Sequence, residues 1–66
     1  MDKTFYVIRY RTELNCWTRL HPNGFTLNNA NNFKANYKVD QFYLDVVHEM
    51  WLDCLDVWPE PGYMDK

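Results

Sequence analysis

The stretch from Asp40 to Trp58 constrains this chain more than any other part of it. Asp40 suits the N-cap of a helix, where its carboxylate can accept a first-turn N–H. Pro59 closes the stretch, because a residue that precedes proline is pushed out of the α region. At about 100° per residue, with Tyr43 as zero, Val46, Met50, Val47, Trp51, Cys54 and Leu55 fall with their apolar neighbours between roughly 300° and 120°. Asp45, Glu49, Asp53 and Asp56 fall between roughly 200° and 280°. The pattern predicts one long amphipathic helix over 40–58, apolar over half its circumference and carrying a single acidic stripe.

Such a helix needs a sheet to cover. Thr4 to Thr12 reads as a strand, β-branched and aromatic, with no glycine or proline. Cys16 to Leu20 reads as a second strand, and the two make a hairpin. His21-Pro22-Asn23-Gly24 has the composition of a turn, and Phe25 to Leu27 a short third strand. Asn28 to Asn32 reads as an asparagine-rich break, since these side chains compete for backbone hydrogen bonds. Residues 33–38 read as irregular structure or a short fourth strand. The fold class expected is α+β: a small antiparallel sheet of three or four strands packed against one long C-terminal amphipathic helix. Residues 1–58 form the single domain and 59–66 an extended tail.

At 66 residues, the chain folds alone only with a dense core. Aromatics make up 18% of it, enough large side chains to build that core without disulfides. The two cysteines, Cys16 and Cys54, are too few for a disulfide framework and read as reduced, buried apolar residues. No leader peptide and no run of about 18 apolar residues is visible, so the expectation is a soluble cytoplasmic protein without a membrane partner.

Charge is divided along the chain. Residues 1–39 carry six basic and two acidic groups, a balance of +4. Residues 40–66 carry one basic and seven acidic groups, a balance of −6, which gives the net −2. This asymmetry points to self-association or to a charged partner.

Four kinds of chemistry bear on function. The acids Asp45, Glu49, Asp53 and Asp56, spaced i, i+4, i+8 and i+11, repel one another on a helix, and no lysine or arginine between residues 39 and 65 offsets them. Solvated surface is the plainer account; a docking face for a basic patch on another protein is the functional one. Such a patch is often a nucleic-acid site, and carboxylates about 6 Å apart along the helix resemble phosphates. Arg9, Arg11 and Arg19 alternate with Tyr10 and Trp17, as in a platform for single-stranded nucleic acid. The plainer account is arginine stems covering apolar surface, and the negative net charge makes nucleic acid the weaker choice. Cys16, His21, His48 and Cys54 have poor spacing for zinc, because His48 and Cys54 point about 120° apart on a helix. Catalysis has no visible machinery: the chain lacks serine, a phosphate-binding glycine loop and any nucleophile–base pair. No cofactor is expected.

Phe5-Tyr6-Val7-Ile8-Arg9, Cys16-Trp17, Gly24-Phe25-Thr26 and Ala30-Asn31-Asn32-Phe33 together resemble the small strand–strand–turn proteins that bacteriophages encode as accessory genes. The resemblance covers residues 5–33, about half the chain. It implies a phage gene product, many of which bind and inhibit a host protein, and hence a host-cytosol location.

The expectation is therefore a non-enzymatic protein-binding module, an inhibitor or anti-defence factor that docks on a basic patch of a host protein. Asp45, Glu49, Asp53 and Asp56 would steer it, with Trp58 and Tyr63 as anchors. Apolar helix surface left over from the sheet predicts a homodimer or a hydrophobic contact with the partner. The alternative is a single-stranded nucleic-acid binder that uses the basic–aromatic strands.

Overall fold

The computed structural model describes residues 3–59. Strands β1 (Phe5–Arg11) and β2 (Cys16–Arg19) form the expected hairpin, with Tyr10 opposite Trp17 and Arg9 opposite Thr18. The turn between them ends on Asn15 at φ 55, a left-handed conformation that asparagine adopts more readily than most residues.

The long C-terminal helix does not form. Within 40–58 the chain makes a single 3-10 turn (Gln41–Tyr43), strand β3 (Leu44–His48), a four-residue helix α2 (Trp51–Cys54) and a two-residue strand β4 (Trp58–Pro59). Asp40 does cap, but caps the short turn: its Oδ1 accepts the Phe42 N–H at 3.0 Å. The physical reason lies in Leu44-Asp45-Val46-Val47-His48. Leu44, Val46 and His48 alternate with Asp45 and Val47, a period of two, and paired β-branched residues favour a pleated surface. They also meet an unfilled edge of β1, where Val7 faces Val46 and Arg9 faces Leu44.

The main helix lies where a break was expected. α1 spans Leu27–Asn36 and is capped by Thr26, whose hydroxyl accepts the Asn29 N–H at 3.3 Å. Ala30, Phe33 and Tyr37 recur at i, i+3 and i+7, and this face meets the sheet. Gln41 reaches back to close the other end, donating to the carbonyls of Lys34 (2.9 Å) and Tyr37 (3.3 Å). The expected third strand is reduced to Phe25, which exchanges two backbone hydrogen bonds with Phe5 at 2.9 and 2.7 Å.

The sheet has the order β3-β1-β2-β4 and is mixed: β1 is antiparallel to β2 and β3, while β4 runs parallel to β2. Two connections therefore join parallel strands. α1 carries the chain from β2 to β3 across β1, and residues 49–57 carry it back from β3 to β4. Because they travel in opposite directions, both are right-handed only if they lie on opposite faces. The core agrees. Val7, Leu20, Ala30 and Leu44 form the buried cluster under α1, with Phe5, Phe25, Phe33 and Val46 packed around it. Ile8 points to the other face and is 0% exposed, as a covered second face requires. Leu52 and Val57, the half-buried residues of the returning segment, are joined by a Val57 N–H to Leu52 carbonyl bond of 3.0 Å.

Among the described residues no helix is long and apolar enough to cross a membrane.

Candidate functional site

Residues 49–58 combine two properties that packing alone does not explain. Of the large apolar side chains exposed in the described residues, Met50, Trp51, Leu55 and Trp58 lie here, at 67%, 52%, 37% and 56% exposure. Glu49, Asp53 and Asp56 are interspersed with them, all exposed, and no lysine or arginine occurs between 39 and 59. The returning connection produces this arrangement. A segment of nine residues that crosses a sheet with only a four-residue helix points few side chains inward, here Leu52 and Val57, and leaves the rest in water. Met50, Trp51 and Cys54 line a shallow apolar depression of about 300 Å³.

The predicted acidic stripe is thus dispersed. Asp45 is on β3, where its Oδ1 accepts the Val46 N–H at 2.8 Å. Glu49 follows the strand, its N–H bonded to the Thr4 carbonyl at 2.7 Å. Asp53 is in α2, and Asp56 sits beyond it at φ 55. Asp56 also holds Trp58, whose Nε1–H donates to its Oδ2 at 3.4 Å. Trp58 pairs with Thr18 in β4 and borders a second depression with Leu14, Cys16 and Pro59. Tyr63 lies outside the described residues. Asp56 contacts Trp58; Glu49 follows β3 at one edge of the sheet and Trp58 lies in β4 at the other, with Asp45 on the β3 edge.

Met50, Trp51 and Leu55 are site residues that the sequence reading placed on the covered side of a helix. Their signal was in the sequence: an apolar arc wider than one small sheet can bury.

The basic–aromatic platform is divided by the pleat. Tyr6, Tyr10, Trp17 and Arg19 share the Ile8 face, with Tyr10 and Trp17 edge to face at 5.3 Å and the Arg19 guanidinium 5.8 Å from the Tyr6 ring centre. Arg9 and Arg11 take the opposite face, beside Thr18 and Cys16. Arg11 is also engaged by Glu13, its Nε donating to Oε2 at 2.7 Å, and this bond holds the Glu13 carboxyl below the usual glutamate range. Arg19 Nε is buried and has no hydrogen-bond partner among the described residues.

The cysteines are free, as expected, but not buried: Cys16 is half-buried and Cys54 exposed. A half-covered strand edge and a one-turn helix cannot enclose them. Among the described residues no three histidine, cysteine, aspartate or glutamate side chains gather in an arrangement that could hold a metal.

No protein-family model matches the chain, and it has no match among curated proteins or solved structures.

Proposed function

We propose that this chain is a non-enzymatic protein-binding module whose docking surface is the connection from Glu49 to Trp58. The observation that carries the reading is the exposure of Met50, Trp51, Leu55 and Trp58 along one connection that also exposes Glu49, Asp53 and Asp56. Exposed apolar clusters with a polar rim mark contact sites, and Trp and Met are enriched in interface centres. The acids select a partner with a basic rim around an apolar groove, and long-range attraction speeds encounter with it. A symmetric homodimer through this surface would oppose Glu49, Asp53 and Asp56 to their own copies, so a different protein is the better occupant. The resemblance of residues 5–33 to phage accessory proteins makes a host protein the partner class, bound and inhibited in the bacterial cytosol.

The test is affinity capture from bacterial lysate with three baits. The parent should retain a protein that 0.5 M salt weakens, following the screening of exposed charge on the order of ångströms. The Met50→Ser/Trp51→Ser bait should lose it, and the Arg9→Glu/Arg19→Glu bait should keep it. Loss with the arginine variant and retention with the serine variant would reject the surface.

A further inference from the structure

Helix α1 is built from residues that do not favour a helix. Asn28, Asn29, Asn31, Asn32 and Asn36 make half of Leu27–Asn36, and asparagine is among the weaker helix formers because it competes for its own backbone. Little is regained locally. Among the described residues the one hydrogen bond from these side chains is Asn36 Nδ2 to the Asn32 carbonyl at 2.8 Å. A local rule broken without a compensating contact is a place to look for function.

Asn29, Asn32 and Asn36, at i, i+3 and i+7, line one open groove of about 450 Å³ with Phe25, Phe33 and Tyr37. Phe25 and Phe33 lie 5.2 Å apart between ring centres, and Phe33 and Tyr37 lie 5.6 Å apart and nearly parallel at 25°. Asn29, Phe33 and Tyr37 follow one i, i+4, i+8 row of the helix and Asn32 and Asn36 lie beside it, so rings and carboxamides sit side by side in the groove. No charged side chain lines the groove.

We infer that this groove binds a proline-rich segment in the polyproline II conformation, a ligand separate from the partner of the Glu49–Trp58 surface. Such a segment has no internal hydrogen bonds, so its carbonyls need donors, and the carboxamide N–H groups supply them. Its pyrrolidine rings pack against aromatic walls, and its preset backbone loses little entropy on docking. The spacing fits as well. Asn29 and Asn36 are separated by about 10.5 Å of helix rise, near the roughly 9.3 Å of one three-residue polyproline turn. The neutral lining disfavours nucleic acid, whose phosphates require cations. An apolar helix would leave the carboxamides buried without partners, at a cost in affinity.

The experiment is a titration of the full chain with a nine-residue oligoproline, followed by ¹⁵N NMR. Controls are a glycine–serine peptide of equal length and maltohexaose. Saturable shifts of the side-chain amide signals of Asn29, Asn32 and Asn36 are expected from oligoproline alone. The Asn29→Ala/Asn32→Ala variant should bind roughly tenfold more weakly or worse, having lost two donors. It should also melt at a higher temperature than the parent, because alanine is the better helix former, so loss of binding cannot be loss of fold. Absence of shifts with oligoproline, equal binding by the variant, or equal shifts with either control would each overturn the inference.

Discussion

The backbone N–H of Val46 donates to Oδ1 of Asp45, the residue before it, at 2.8 Å. The sheet gives this contact its meaning. Val7 directs its carbonyl to Leu20 of the β2 side, at 3.0 Å. The odd-numbered residues of β1 therefore bond towards β2, and the even-numbered ones towards β3. Val46 lies opposite Val7, so its N–H points away from β1, out of the free edge of the sheet. Open edges are templates for pairing with another chain, and charged side chains on them discourage it. Asp45 caps the edge and charges it at once. Asp45→Ala should raise the weight-average mass in light scattering as concentration increases, while Asp45→Asn, which keeps the acceptor, should do so less. Identical masses for parent and Asp45→Ala would remove the guarding role.

Gly24 leaves no room for a side chain. A Cβ there would lie 2.1 Å from the Lys3 carbonyl oxygen, part of the backbone that leads into the Phe5–Phe25 pair. Backbone in a paired strand cannot yield as a flexible side chain does. Gly24→Ala should destabilise by about 1–3 kcal/mol, lowering the melting temperature by about 4–8 °C for each kcal/mol in a domain of this size. Thermal denaturation within 1 °C of the parent, on the order of the assay error, would contradict this account.

Thr26 fixes where α1 begins. Its hydroxyl accepts the Asn29 N–H, and the helix is rich in asparagine, so the cap matters more than it would in a strong helix. Thr26→Ala should cost about 1 kcal/mol and reduce the helical circular dichroism signal. Thr26→Ser should restore both. If Thr26→Ala leaves both unchanged, the helix does not depend on this cap.

What the sequence made legible was set by where local and tertiary preferences agree. β1 and β2 were readable because β-branched and aromatic residues, alternation and turn composition all point the same way. Residues 40–58 were misread because their apolar residues satisfy a period of 3.6 almost as well as a period of two. Sheet pairing then decides: Val46 and Leu44 fill the edge of β1 opposite Val7 and Arg9. α1 was missed for the converse reason. Its asparagines advertise a break, while the cap at Thr26 and the Ala30, Phe33 and Tyr37 spacing carry the helix. For the candidate site, the sequence points to Glu49, Asp53, Asp56 and Trp58, and equally to Asp45, which lies on the sheet edge, and to Tyr63, which lies outside the described residues. It does not point to Met50, Trp51 and Leu55, because a helix is expected to bury them.

The hairpin turn carries a pH dependence with a definite sign. Arg11 holds the Glu13 carboxyl below its usual range, chiefly through the side-chain hydrogen bond. A depressed carboxyl contributes stability that is present above its unfolded value and lost as pH falls through the folded one. In an NMR titration Glu13 should therefore titrate below an ordinary glutamate, and Arg11→Gln should move it up. Because the pair is exposed, the effect on global stability should be small and should shrink with salt. An unchanged Glu13 midpoint in Arg11→Gln would assign the shift to the backbone instead.

The central claim is that Glu49, Asp53 and Asp56 steer a partner onto the apolar side chains between them. Its most direct test is the association rate of the protein captured from lysate, measured against ionic strength for the parent and for Glu49→Gln/Asp53→Asn/Asp56→Asn. Exposed charges act on encounter and are screened by salt, whereas anchors such as Trp51 act on dissociation. The triple variant should associate at least about tenfold more slowly at low salt and show a flattened salt dependence, with its dissociation rate little changed. Equal association rates at low salt would show that the acids are solvated surface and contradict the account.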